Sequence, residues 1–315
     1  MSIKHIPYKK TGYFSSLMID YLAEKEELQS FYNRFPSIEN FEAQLKEKRA
    51  SFTQENRRVL VASLKKQYQD FNLSEVTQQN INTLLKENTF TITTGHQLNL
   101  FTGPLYFLYK IISVINLSEQ LNKKHPNQHF IPIYWMATED HDFDEINYFN
   151  LFDKKVAWDH KSGGAVGELD TDGLEKLLET LKSEIGASEN AKFLTNLFSK
   201  AYLKHNNLSD ATRYLANQLF GDYGLVIIDG NHRELKKEFA SFAQKELLDK
   251  DSYIIINKTT DGLESIGYKK QVHPREINLF YIVKGIRERV IEENGTYKIN
   301  NTELVFTKDE ILNEL

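Results

Sequence analysis

The chain has 315 residues, 26% of them charged and 40% hydrophobic, with a formal net charge of −5 and no cysteine. That composition describes an ordinary soluble globular protein with a large core, in one big domain or two. The balance of charge and the lack of a basic block argue against nucleic acid as a main partner. No apolar run approaches the roughly eighteen residues of a membrane span, and the opening Met1 to Pro7 lacks the apolar core of a signal peptide. Disulfides, thiolate zinc sites and a cysteine nucleophile are excluded. The default compartment is the cytoplasm.

The first 86 residues read as helical and polar, a region expected to pack on the core that follows. Asn40 to Phe71 mixes charges with Phe41, Leu45, Phe52, Val59, Leu60 and Leu64, and Glu75 to Glu87 extends the pattern. Phe90 to Thr94 is a β-rich run stopped by Gly95. From Pro104 the pattern becomes helical, with Leu105, Leu108, Ile111, Ile112 and Ile115 at spacings of three and four. Thr102 is placed as the N-cap of that helix, and Lys123 and Lys124 suit its negative end. His129 to Ala137 then forms a mostly apolar strand, as expected of one covered on both faces. Strand, helix and strand make one βαβ unit, whose crossover should be right-handed.

A cluster of acidic residues follows, Glu139-Asp140-His141-Asp142-Phe143-Asp144-Glu145. Tyr148 to Asp159 reads as short strands, and Lys161-Ser162-Gly163-Gly164 breaks the pattern. Two helices, Leu174 to Ile185 and Ala191 to Leu203, read as an insertion over 153–205 between two parts of a core at 87–152 and 206–258. Ser209 is placed as the cap of a helix through Phe220. Leu225 to Asp229 is a buried strand, and Glu234 to Leu248 is helical. From 259 to 315 a connecting segment carries β-rich alternation, with a hairpin signal at Glu293-Asn294-Gly295. Thr307-Lys308-Asp309-Glu310 is a capping box opening a helix that stops at Leu315. A helix of about eight residues is marginal unless something packs it, so the chain looks cut short. The expected class is α/β: a mainly parallel sheet with helices on both faces, a helical insertion and a small C-terminal β-rich element.

In an open α/β sheet, ligands bind beyond the carboxyl ends of the strands. Two polar stretches stand there. Thr94, Gly95, His96, Gln97, Thr102 and Gly103 surround a turn leading into a helix N-terminus, where free N–H groups favour a phosphate or carboxylate. Taken alone, the two glycines merely shape a turn, because neither phosphate-loop pattern is present. The acidic cluster is the less ordinary feature. Crowded carboxylates shift one another's pKa and are tolerated where a cation, an amine or a proton is handled. Glu139, Asp140, His141 and Asp142 are taken as catalytic candidates. Asp144 and Glu145 are better read as charges favouring a helix N-terminus. Asn147 and Asp229, at neighbouring strand ends, join the binding candidates. A metal held through Glu139, His141 or Asp142 stays an alternative, and no ligand set is assigned. Tyr134, Trp135, Tyr106, Phe107 and Tyr109 read as core.

At these residues the sequence resembles a known family. Gly95-x-Gln97, Leu100-Phe101-Thr102-Gly103-Pro104-Leu105-Tyr106 and Tyr109-Lys110-Ile111-Ile112-Ser113 resemble one signature of the bacillithiol synthase family of cysteine ligases. Pro132-Ile133-Tyr134-Trp135 with Glu139 to Asn147 is similar to a second. The resemblance implies a Rossmann-like core and a C-terminal coiled coil, absent from this chain, through which the full-length protein forms a homodimer. It implies addition of cysteine to glucosaminyl malate, the last step of bacillithiol synthesis. Family members often carry glutamine at the position of His96, so that histidine is not an obligatory base. The co-substrate is undetermined; ATP with magnesium is the candidate, since a free carboxylate must be activated before an amine attacks it. A binding module without turnover and a metal-dependent hydrolase are the rival readings.

Overall fold

The structure, a computed structural model, describes residues 4–315. Met1 to Ile3, the start of the stretch read for a leader, lie outside the described residues. In chain order the strands are β1 (Thr89–His96), β2 (His129–Met136), β3 (Tyr148–Leu151), β4 (Lys154–Ala157), β5 (Val226–Asp229), β6 (Phe280–Val283), β7 (Ile286–Glu293), β8 (Thr296–Ile299) and β9 (Val305–Phe306). β1, β2 and β5 form a parallel sheet with β2 in the middle. Thr89 pairs with His129 at one end and His96 with Met136 at the other, while Ile133 to Met136 pair with Val226 to Asp229. The expected βαβ unit is therefore present, with its two strands adjacent and parallel.

Burial follows position in the sheet. The central β2 is covered everywhere except His129 and Trp135, as a parallel strand with neighbours on both sides requires. The edge strand β1 alternates, leaving Thr91, Thr93 and Gly95 exposed. The helix Tyr106–Lys124 packs on β1 and β2, joining Leu121 to Phe90, Phe130 and Leu45. The helices Gln54–Gln67, Glu75–Thr83 and Leu208–Phe220 pack on β5. Three polar ties fasten the N-terminal helices. Buried Arg57 donates to the carbonyls of Leu84 (3.0 Å) and Thr89 (3.1 Å). Ile227 N–H donates to Tyr68 Oη (2.7 Å). Arg213, 2% exposed, donates to the Ile227 carbonyl (2.8 Å) and to Gln67 Oε1 (2.7 Å). Each satisfies a buried backbone group that would otherwise cost about 1–3 kcal/mol.

The helices Leu174–Ile185 and Glu189–Leu203 share the main core through Leu177, Leu181, Leu197 and Phe198. β6 to β9 form an antiparallel sheet around a separate small core of Ile277, Val290, Tyr297 and Ile299. The hairpin at Asn294-Gly295 is as expected: both residues have positive φ, 52° and 79°, which suits the twist of a two-residue loop. The last helix, Lys308–Asn313, has the expected capping box and buries Ile311 in that core. The helix Asp251–Ser265 runs through position 258.

Several local expectations are corrected. Gly95 does not stop β1; it pairs with Trp135, and a β-carbon there would meet only the Trp135 carbonyl at 3.9 Å. Thr102 does not cap the following helix, which starts at Tyr106 without a side-chain cap. Phe101 (φ 52°) and Thr102 (φ 71°) turn left-handed before the helix begins at Tyr106. Ser209 lies inside its helix, and Asn207 is the cap, accepting from Asp210 N–H at 2.7 Å. Tyr106, Tyr109 and Trp135 are 55%, 60% and 40% exposed, so they are not core, whereas Phe107 and Tyr134 are. The helical period alone cannot tell a core stripe from the lining of a cleft.

Candidate active site at the strand ends

The site begins where β1 ends. His96 is buried against Phe107, edge to face at 5.2 Å, with Nδ1 2.9 Å from the Gln97 carbonyl. Burial pushes its pKa below the ordinary value against the opposing Gln97 carbonyl, and the charge of Lys110 adds to the fall. The ring is therefore neutral at pH 7, with Nδ1 as donor to that carbonyl and Nε2 buried without a partner. His96 lies behind the site rather than in it.

Gln97 points the other way. Its amide donates to Glu145 Oε2 at 2.7 Å and to Asp140 Oδ2 at 3.1 Å, so one neutral side chain joins two carboxylates 48 and 43 residues away. Asn99 Nδ2 donates to the Glu145 carbonyl at 3.1 Å. Beyond Asn99 the chain turns sharply. A β-carbon on Gly103 would stand 2.3 Å from Asn99 Cβ, and φ there is +52°, so only glycine fits. Phe101 N–H, at the left-handed residue of this turn, donates to buried Tyr202 Oη at 2.9 Å.

These residues form the rim of a cleft of about 1050 Å³. Gln97, Asn99, Asp144 and Glu145 are among its polar lining, and Leu108, Ile112, Leu181 and Leu197 among its apolar lining. Few converging polar groups over an apolar bed is the usual composition of a small-molecule site.

The acidic cluster receives a cation from far along the chain. Arg287 on β7 contacts His141 Nδ1, holds Nη1 3.9 Å from Asp140 Oδ1, and covers the Phe280 ring at 4.0 Å. Glycine contacts make this possible. A β-carbon on Gly164 would lie 2.9 Å from the Gly285 nitrogen, so the loop after β4 and the turn between β6 and β7 meet backbone to backbone. Burial raises the Asp140 pKa, but the hydrogen bonds from Gln97 and from His141 N–H, with the charge of Arg287, outweigh it, and the carboxyl titrates below its ordinary value. Asp140 is an ionised anchor at neutral pH.

The family model described as the N-terminal Rossmann-like domain of bacillithiol biosynthesis BshC matches residues 1–315. The chain belongs to the BshC family. It is 55% identical over 310 residues to the protein of Flavobacterium johnsoniae named "Putative cysteine ligase BshC", covering 98% of this chain and 58% of that protein. Proteins of the same name from Flavobacterium psychrophilum and Cytophaga hutchinsonii are 56% identical over 312 residues and 42% over 314, covering 98% and 100% of this chain and 58% of each protein. The chain thus spans a little under three fifths of the length of these BshC relatives.

Within this BshC domain the candidates divide. Gln97, Thr102 and Gly103 line the cleft, and Gln97 links Asp140 to it. Thr94 is half-buried inside β1, and Gly95 is exposed on the sheet's open face. Asn147 closes the hairpin of β3 and β4, its carbonyl accepting from Trp158 N–H at 2.7 Å. The Asp229 carboxylate is occupied by Thr138 Oγ1, by Ser209 Oγ at 2.8 Å and by Asn231 N–H at 2.9 Å. Asp140, His141 and Asp142 offer donor atoms within 4.8 Å of one another, but Arg287 already supplies the cation there, and a divalent ion would have to displace it. In the stretch from Gly95 to Gly103, Gly95 is part of the strand and Asn99 packs closely against Gly103.

Asp144 and Glu145, read above as dipole charges, stand on the cleft. Their helix, Phe143–Ile146, is a single turn, too short to build much dipole. Asn99 sits in the same motif as Gln97 and was legible there. Arg287 was not, being 146 residues from His141.

Proposed function

We propose that this chain carries the substrate-binding core of a ligase that adds cysteine to glucosaminyl malate, the last step of bacillithiol biosynthesis, in the cytoplasm. The names of its relatives support the reaction class. The observation that carries the site is Gln97, which joins Asp140 and Glu145 at the mouth of the cleft. An amide bond to a sugar amine needs a nucleophilic amine held beside an activated carboxyl. Ionised carboxylates at the rim hold the ammonium form and place it, and the apolar bed excludes water from the activated carboxyl. Asp140, with its lowered pKa, is the anchor of that amine rather than its base. Glu145 is the nearer candidate to receive the proton. The remaining part of the full-length protein would bring the two copies of a homodimer together.

The test is genetic and chemical together. Cells lacking the gene should contain no bacillithiol by mass spectrometry and should accumulate glucosaminyl malate. The full-length wild-type protein should restore bacillithiol, and its Gln97→Ala variant should restore about a tenth of that or less. Unchanged bacillithiol in the deletion strain would end this reading.

A further inference from the structure

β1 ends the parallel sheet, and its outer edge is bare. His129 N–H donates to the Asn88 carbonyl at 2.9 Å and Ala137 N–H to the His96 carbonyl at 3.0 Å. The even-numbered residues of β1 therefore turn their backbone groups towards β2, and the odd-numbered ones turn theirs outward, as a parallel ladder requires. The first outward residue is already satisfied: Thr89 N–H donates to the Lys86 carbonyl at 3.1 Å, and its carbonyl accepts from Arg57. The backbone groups of Thr91, Thr93 and Gly95 have no hydrogen-bond partner among the described residues. Each of these residues leaves an N–H and a C=O pointing off the edge of the sheet.

Natural edge strands are blunted by lysine, proline, a bulge or shortness. β1 has none of these: it runs for eight residues without a carboxylate, lysine, arginine or proline, and none of its residues has positive φ. The sheet is also open on one face there. Thr91, Thr93 and Gly95 pair with Ile131, Ile133 and Trp135 and share their face. Ile131 and Ile133 are buried, whereas the three β1 residues and Trp135 are exposed. A parallel sheet is ordinarily covered on both faces. The strand order β5-β2-β1 also grows in one direction only. That is one half of a doubly wound sheet, whose other half continues beyond the first strand. The matching family model is that of an N-terminal domain, and 58% of each relative is covered, so over two fifths of their length lies outside it on the C-terminal side.

We propose that in the full-length protein the outer edge of β1 is filled by a strand, parallel to it, from the part of the same polypeptide that follows this domain. The connection leading to that strand covers the open face at Thr91, Thr93 and Trp135. A coiled coil alone would leave the edge unpaired, so the following part contributes sheet as well. Gln97 and Asp140 then lie in the crevice where the strand order reverses, the place where open α/β sheets hold their ligands, and the site is incomplete without the added half. The inference rests on the backbone of β1 and is independent of the ligase reading.

Residue-resolved hydrogen exchange on the full-length wild-type protein tests this. The amides of Thr91, Thr93 and Gly95 should exchange about a hundredfold or more slowly than free peptide, in step with the inward amides of Phe90, Ile92 and Thr94. Exchange near the free-peptide rate at the three outward positions, with the inward ones protected, would overturn the proposal. A photo-cross-linking phenylalanine derivative in place of Thr93 then identifies the occupant. Illumination should join position 93 to a peptide C-terminal to residue 315 while the denatured product keeps the mass of one chain. A product of twice that mass, linked through position 93, would seat a second copy on the edge and overturn the proposal. Cross-links confined to residues 1–315 would overturn it too. If the substituted protein fails to fold, the exchange of the wild type decides alone.

Discussion

Arg287 holds its guanidinium 3.9 Å from the Asp140 carboxylate, across 147 residues of chain, and in contact with the neighbouring His141. A cluster that looks in sequence like uncompensated negative charge is thereby given its counter-ion by the C-terminal sheet.

Asp140 should leave a mark on the pH dependence of stability. Its folded pKa lies below the ordinary 3.8, so the ionised group stabilises the fold above that value, and the contribution vanishes as pH falls through the folded pKa. Asp140→Asn should melt below wild type at pH 7, and the two should converge as pH falls through that folded pKa. A gap that stayed constant down the pH range would show that ionisation is not what matters there.

Gln97 and Glu145 should behave as one unit. Gln97→Ala leaves two carboxylates facing without their shared donor, and Gln97→Glu adds a third. In the full-length protein, Gln97→Ala and Glu145→Gln should each lower bacillithiol formation about tenfold or more, with Gln97→Glu lower still. Near-normal output from Glu145→Gln, measured by mass spectrometry, would return Glu145 to the role of a surface charge.

Tyr202→Phe addresses the turn beneath the cleft. It removes the acceptor of Phe101 N–H at the left-handed bend and leaves a buried donor unpaired. The expected loss is about 1–3 kcal/mol in denaturant unfolding, with the midpoint lowered and the slope retained. A loss within error of zero would mean that water replaces the hydroxyl.

Gly167→Ala probes the packing that sets the acidic segment. Its β-carbon would lie 2.6 Å from Thr138 Cβ and 3.1 Å from Thr138 Cα, so two backbones must separate. Overpacking of this kind costs about 1–3 kcal/mol and should lower activity, because Glu139 and Asp140 move with Thr138. Crystal structures of wild type and variant with the two segments superimposable would refute that coupling.

By itself the sequence determined the elements and most of their order. Apolar runs at Phe90 and His129, with a periodic helix between, specify adjacent parallel strands because periodicity and short connections are local properties. The same locality placed Gln97 and Asp140 at neighbouring strand ends, and it marked the Asn294-Gly295 hairpin and the capping box at Thr307. What it could not determine are facts of distance through space. That Trp135 and Tyr106 are exposed while Tyr134 is buried depends on which neighbours cover each face. That Asp229 is consumed by Thr138 and Ser209 depends on the helix Leu208–Phe220 lying over β5. Arg287 reaches Asp140 because two glycine-bearing loops meet backbone to backbone. Spacing along a chain records no such contact, and only the folded packing of the two sheets brings those charges together.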